Sequence, residues 1–454
     1  MLAAFAAAGA WAARPVPALG VGVLALAALR VRRPWLWCAV LSVAASSLAA
    51  RAWAGLDVLP PPEVRGVATV LTDPEDRYGA VHAELRIGGR HYDTWARGSA
   101  AGSLRRALAG EVLDVTGTSS PLRGRVAPYL RRRHVVARLQ LSAAGPPSPG
   151  TPLSRLANSM RRTIEQGAEA LPDTQRGLFG GFVLGDDRAQ DEETVGRFRE
   201  AGLSHLLVVS GQNVAFALLL AGPLVARGAN GSRLAWTVVV LVIFGTVVRW
   251  EPSVVRAIVM AGLAVSARAM ARPAARLQVL AAAVTVILLA DPLLVGSVSF
   301  LLSAGASAGI AVLSPLIAPR LRGPRWFVEV LSATSAAQVG VAPVLLAVFG
   351  SLPLVSIPAN LLAVPISGPL MMWGMVAGVP AGLAGGRVAA ALHMPTRLML
   401  AWVDAVAGGA AGLGVPSVGP RAALAALAAA VTTVIVRRWL GYPRPVDLPK
   451  GVCQ

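Results

Sequence analysis

Long apolar runs separated by short polar breaks make up most of this chain, and one polar stretch between about residues 60 and 150 interrupts them. The first 55 residues hold "MLAAFAAAGAWAA", "VPALGVGVLALAAL" and "WLWCAVLSVAASSLAA". From about 203 to 438 the sequence is nearly all apolar again. Runs near the ~20 residues needed to cross a bilayer give roughly ten candidate transmembrane helices. The pattern predicts a polytopic α-helical membrane protein with a small inserted β domain.

The polar interruption has a period of two. "VRGVATVL", "AVHAELRIGG", "RHYDTWARG", "GEVLDVTG" and "HVVARLQLSAAG" are short Val- and Leu-rich runs bounded by Gly, Asp and Pro, and they predict five strands. "GSLRRALAG" predicts a short helix between the third and fourth strands, an order that suits a Greek-key barrel of the OB type, with a sandwich as the alternative. Arginine interleaved with aromatic rings is what a single-stranded nucleic-acid surface uses, cations for phosphate and rings for base stacking. Tyr92, Trp95, Arg123, Arg125, Tyr129, Arg131, Arg132 and Arg133 are the candidates for that role. A basic solvated loop over core aromatics gives the same pattern.

After the linker "GPPSPGTPLS", Leu153, Leu156, Met160, Ile164 and Leu171 recur at near-helical spacing with Arg155, Arg161 and Arg162 between them. This predicts an amphipathic helix lying on the membrane surface. Two later stretches read as poor helices: "DPLLVGSVSFLLSAGASAG" is rich in serine and glycine, and "GSLPLVSIPANLLAVPISGPLMMWG" carries four prolines. They predict broken helices, which membranes tolerate where the backbone is buried in protein or lines a polar cavity.

Charge adds orientation. The net charge is +19, and of 42 basic residues only Lys450 is a lysine, so a compositional bias toward arginine accounts for much of the excess. Positive-inside reasoning puts Arg30, Arg32 and Arg33 in the cytoplasm, so the third apolar run leads outward and the β domain lies outside. Later clusters, among them Arg320, Arg322 and Arg325, fit the same orientation. The first apolar run continues into more membrane and reads as an anchor, not a cleaved leader. Cys38 and Cys453 are too few for a disulfide framework or a metal site. No Gly-x-x-x-x-Gly-Lys loop occurs, so no nucleotide-driven motor is predicted in the chain.

Polar side chains inside apolar spans tend to face a bundle interior or a polar route. Here they are His205, Ser210, Gln212, Asn213, Glu251, Arg256, Asp291, Gln338 and Asn360. Isolated helix–helix hydrogen bonds are the plainer account of any one of them. Their spread over several helices favours a shared route.

"GGFVLGDDRAQDEETVGRFREAGLSHLLVVSGQNVA" at 180–215, "EPSVVRAIVMAGLA" at 251–264, "DPLLVGSVSFLLSAGA" at 291–306 and the block at 336–369 resemble, in order, the ComEC family of competence membrane proteins. The resemblance covers about 175 to 380, and the preceding barrel is similar to the OB-like domain usual in such proteins. It implies a channel that passes single-stranded DNA across the cytoplasmic membrane during natural transformation, with no catalysis and no cofactor or metal. By position, Gly185 and Asp186 fall in the family's entrance loop, His205, Ser210 and Gly211 in its turn, and Arg256, Asp291, Gln338 and Asn360 in later polar sites. Many members carry histidine where this chain has Asn213, which cannot carry a proton. Our own reading of Asp186, Asp187 and Asp191 is capping and loop structure in preference to cation binding.

The implied organisation is N-terminal transmembrane helices at 1–56, an extracellular OB-like domain at 60–145, a linker and amphipathic helix at 146–174, a channel domain at 175–440 and a cytoplasmic tail at 441–454. Expected partners are single-stranded DNA, the lipid bilayer, a DNA receptor, a separate nuclease, a cytoplasmic motor or single-strand-binding proteins, and a second copy of the chain. A separate nuclease is expected because the metallo-β-lactamase-like domain of long members needs a His-x-His-x-Asp-His cluster, whereas His82, His91, His134, His205 and His393 are scattered. Two other classes compete. A transporter of another anionic or lipid-linked solute would use the same broken helices. An intramembrane hydrolase would need Ser210 and His205 to meet, yet on one regular helix they lie about 140° apart.

Overall fold

The structure is a computed structural model describing residues 1–31, 33–57, 60–209, 211–223, 230–270, 275–415 and 417–422. It is mostly helical with one closed barrel near the N-terminus.

Six strands build the barrel region: β1 (Glu63–Val70), β2 (Glu75–Arg77), β3 (Ala80–Ile87), β4 (Arg90–Ala96), β5 (Val112–Ser120) and β6 (Val135–Ala144). The order β1-β5-β6-β4-β3 closes because β3 also pairs with β1. All pairings are antiparallel except β4 with β6. This five-strand closure, with helix Gly98–Arg106 between β4 and β5, is consistent with the expected OB-like order. β2 adds a short strand that the sequence pattern did not indicate. The β3–β4 turn is Gly88-Gly89, both with positive φ, the geometry a two-residue hairpin requires. Alternation along the strands sends Val81, Ala83, Leu85, Tyr92, Leu113, Leu139 and Leu141 inward to one core.

Among the described residues, four helices are long and apolar enough to cross a membrane: Trp35–Leu56, Val298–Arg320, Arg325–Phe349 and Ser356–Ala384. That is fewer than the roughly ten anticipated from run length. Leu2–Ala12, Leu19–Val31, Ser232–Val247 and Arg276–Ala290 are apolar but shorter. The two stretches expected to break are interrupted where they begin and helical beyond. Asp291 caps a single 3-10 turn, Pro292–Gly296, and a continuous helix Val298–Ile317 follows. Ser356–Ala384 runs unbroken through Pro365, Pro369 and Pro380. A proline removes one backbone hydrogen bond, and packing against neighbouring helices offsets that loss.

Small residues set the closest helix approaches. Gly305 and Gly309 of Val298–Ile317 meet Ala336 and Gly340 of Arg325–Phe349 so closely that a Cβ at Gly309 would stand 2.2 Å from the Ala336 carbonyl oxygen. This is the small-residue packing that joins helices in lipid.

The expected amphipathic helix is present as Pro152–Ala168, and one of its faces is packed within the protein. Its glycine face packs on Ser356–Ala384, where a Cβ at Gly167 would meet the Gly382 nitrogen at 2.7 Å, and its Arg161 is 0% exposed. Of the apolar stripe, Ile164 and Leu171 are buried, Leu153 and Met160 are half-buried and Leu156 is exposed. The expected tail at 441–454 lies outside the described residues.

Candidate functional site

Arg256 is the centre of the polar region in the helical domain. It sits on the second turn of Pro252–Ala269, is 6% exposed, and donates from Nε to Ser303 Oγ at 2.9 Å and from Nη1 to Met260 Sδ at 3.0 Å. No carboxylate pairs with it among the described residues. Gly211, at the start of Gly211–Leu220, leaves room for the guanidinium: a Cβ there would be 3.0 Å from Arg256 Nη2. Ser253 Oγ donates to the Val209 carbonyl at 3.0 Å and ties the same helix to the segment before Gly211. Asn213, two residues on, is buried and donates to the Phe182 carbonyl at 3.3 Å.

The structure therefore brings Gly211, Arg256 and Ser303 into one neighbourhood. His205 lies exposed in the short 3-10 turn Ser204–Leu206, and Gln212 is exposed at the start of the next helix. Ser210 lies outside the described residues. Asn360 is buried and turns back on its own helix, donating to the Ser356 carbonyl at 2.7 Å. Gln338 belongs to the Arg325–Phe349 helix, near the glycine contact. Asp291 does not join this route. It accepts from the Leu293 N–H at 3.1 Å and meets His134 Nε2 of the barrel at 3.0 Å. That bond raises the His134 pKa above its usual value.

The barrel candidates are sorted differently from the sequence reading. Tyr92 is 3% exposed inside the barrel, because the strand alternation points it inward, so it is not a stacking platform. Trp95 points outward but is engaged: Nε1 donates to Asp93 at 3.0 Å, and Arg138 lies over the ring. Arg131 pairs with Asp57 at 2.7 Å, Arg132 donates to the Gly296 carbonyl at 2.8 Å, and Arg133 pairs with Glu84 at 2.8 Å. These three arginines fasten the barrel and do not offer a free cationic surface. Arg123, Arg125 and Tyr129 remain exposed.

Outward-facing residues of β3 and β4 form a charged ladder. His82 lies between Glu75 at 3.2 Å and Asp93 at 2.8 Å. Burial opposes the charged imidazole, but the hydrogen bonds to Asp93 and Glu75 outweigh it and raise its pKa to about 9. Asp93 is likewise opposed by burial, yet His82, Trp95 and Arg138 hold it down to about 2.

A second constellation joins Asp186, singled out in the sequence, to Arg161, Asp73 and Arg249, whose pairing sequence reasoning missed. Arg161 donates from Nη1 to the Leu184 carbonyl at 2.9 Å and the Val247 carbonyl at 2.8 Å, which satisfies the C-terminal ends of two helices. Its Nη2 faces Asp186 at 3.0 Å and Asp73 at 3.1 Å. Asp73, in the turn after β1, also accepts from Arg249 Nε at 2.8 Å and Nη2 at 2.6 Å. Arg249 further donates to Asn158 Oδ1 at 2.9 Å. Arg249 and the following Trp250 both have positive φ, 62° and 54°, where Asp73 and Asn158 hold the arginine in a conformation costly for side-chain-bearing residues.

The expected entrance loop is part of this network. Gly185 ends Asp173–Leu184 in the left-handed conformation, and Asp186 accepts from Arg188 Nε at 2.8 Å. Burial raises the Asp186 pKa, but Arg188 and then Arg161 outweigh it and bring it to about 2. Asp191 caps the next helix by accepting from the Thr194 N–H at 2.6 Å. Among the described residues no group of three or more His, Cys, Asp or Glu is placed to hold a metal ion.

Comparison with known proteins gives one consistent direction. A family model described as competence protein matches residues 182–440, more than half of the chain. ComE operon protein 3 of Bacillus subtilis is 25% identical over 256 residues, a match covering 55% of this chain and 32% of that protein. The match thus spans about a third of the relative's length. No solved structure matches.

Proposed function

The chain belongs to the competence protein family, and from that premise we propose that it conducts one strand of DNA across the cytoplasmic membrane during uptake, acting as a conduit and not as an enzyme. In this reading the helical domain is multi-pass and the barrel stands outside. A DNA receptor delivers the substrate, a separate nuclease removes the other strand, and a cytoplasmic motor or single-strand-binding proteins draw the strand inward.

Arg256 is the observation that carries the reading. A guanidinium within membrane helices costs about 2.5–3.5 kcal/mol on insertion scales, so its retention calls for an anion or a polar route. Its partners here are a hydroxyl and a thioether. A passing phosphodiester supplies the missing negative charge. Val298–Ile317, Arg325–Phe349 and Ser356–Ala384 are each continuous helices, which supports a route running between helices.

The test is entry of labelled DNA into a DNase-protected compartment, in a host with the gene deleted, restored, or restored as Arg256→Gln. We expect loss on deletion, recovery on restoration, and reduced entry with Arg256→Gln at unchanged membrane abundance. Unchanged entry on deletion, in a host that takes up DNA, would move the assignment to another anionic solute.

A further inference from the structure

Arg131 and Arg132 fasten the barrel to its surroundings, but Arg123 and Arg125 do not. They flank Gly124, whose φ is +78°, in the loop between β5 and helix Ala127–Arg132. That loop borders a cleft of about 590 Å³ closed on its other side by Trp53, Leu56 and Asp57, the last turn of Pro34–Leu56 and the residue that caps it. Arg123 and Arg131 line the cleft from the barrel, and Leu122 and Val136 add apolar wall.

The height of this cleft follows from the helix. Pro34–Leu56 has 23 residues, which at 1.5 Å per residue extends about 34 Å, slightly more than the ~30 Å hydrocarbon core. Given that this helix spans the bilayer, its last turn emerges at the headgroup layer. Trp53 occupies the level where membrane proteins place tryptophan. Next to the cleft, Val126 and Tyr129 are 53% and 56% exposed, apolar and amphipathic side chains suited to that layer. Asp57 is already paired with Arg131 at 2.7 Å, so Arg123 brings an unmatched positive charge.

We propose that this cleft binds the headgroup phosphate of an anionic glycerophospholipid from the leaflet on the barrel side. Arg123 receives the phosphate beside the Arg131–Asp57 pair, while the partly exposed Trp53 lines the path of the acyl chains. A seated lipid fixes the height at which the barrel stands over the membrane. A DNA strand is a poorer fit, because Trp53, Leu122 and Val136 wall the cleft with apolar surface and Arg131 is already paired with Asp57.

The experiment is native mass spectrometry of the full chain in micelles doped equally with phosphatidylglycerol and phosphatidylcholine, a readout independent of DNA passage. We expect preferential retention of phosphatidylglycerol. Arg123→Gln should lower it about five-fold, the effect of one arginine near an anionic surface. Arg125→Gln, with the same charge change in the same loop but outside the cleft, should leave it within about two-fold. Equal retention by the parent and Arg123→Gln, or equal loss in both variants, overturns the site in favour of no binding or of diffuse surface attraction. Displacement of the lipid by glycerol 3-phosphate alone overturns the lipid assignment in favour of a free phosphate ligand. Displacement by an oligothymidylate overturns it in favour of nucleic acid.

Discussion

Replacing Asp73 tests the fastening between barrel and helical domain most directly. Its carboxylate, with a side chain 9% exposed, receives Arg249 at 2.8 and 2.6 Å and the Ala109 N–H at 2.9 Å, and stands 3.1 Å from Arg161. Asp73→Asn keeps the shape and removes the charge, leaving two buried guanidiniums short of one anion. Breaking one side of a buried pair in this way costs about 3–5 kcal/mol. Arg249→Gln breaks the pair from the other side and also releases the left-handed turn at 249–250, where each residue stores on the order of 1–3 kcal/mol. The double variant should therefore cost less than the two single variants together, by about 1–3 kcal/mol. The assay is denaturant unfolding of the detergent-solubilised chain followed by near-ultraviolet circular dichroism. Burial raises the Asp73 pKa, but Arg249 and Arg161 hold it below its ordinary value of 3.8. The stabilisation is thus present above that value and lost as pH falls through the folded one, an acid response that Asp73→Asn should lack. A loss under about 1 kcal/mol for Asp73→Asn, or strict additivity in the double variant, would refute the clamp.

The His82 ladder predicts the opposite pH response. With the pKa raised from 6.5 to about 9, its contribution is complete below 6.5 and lost as pH rises through about 9, so His82→Gln should flatten barrel stability across that window in thermal melts. Gly309→Val, whose added Cβ would fall 2.2 Å from the Ala336 oxygen, should destabilise the helix pair by about 1–3 kcal/mol, read as reduced full-length chain in membranes. Asp191→Ala should cost about 1 kcal/mol of stability through the lost cap on Glu192–Glu200, measured in the same unfolding assay. Tyr92→Ala should destabilise the barrel by about 3–5 kcal/mol, whereas Tyr92→Phe should leave DNA binding by the chain unchanged. A loss of binding in Tyr92→Phe with normal folding would return that ring to the surface.

What the sequence disclosed depends on the range of the interaction. Strand alternation is local, so β1, β3, β4, β5 and β6 could be read within a few residues of their ends, and the short helix between β4 and β5 was anticipated, though displaced along the chain. The inward direction of Tyr92 was also present in that alternation, but its aromatic type drew attention to chemistry instead. Asp73 and Arg249 are 176 positions apart, and no spacing rule joins them. A signal did exist: Arg161 interrupts an apolar stripe, and Arg249 directly precedes the "EPSVVR" block. The prolines of Ser356–Ala384 misled because sequence shows the lost hydrogen bond but not the neighbouring helices that offset it. Arg256 was legible as a charge within an apolar run, but its hydroxyl partner on another helix was not.

The pairing of Val298–Ile317 with Arg325–Phe349 bears on how the molecule is assembled. These helices meet backbone to backbone through Gly305, Gly309, Ala336 and Gly340, and little of either is buried elsewhere. Only a short connection separates them, so the pair can close on itself soon after both have left the ribosome. Its register owes nothing to the barrel made earlier or to the long helix made next. A chain whose barrel has failed to fold would still present this hairpin correctly formed, and a cell inspecting nascent chains would have to detect the fault at the Asp73–Arg249 junction instead.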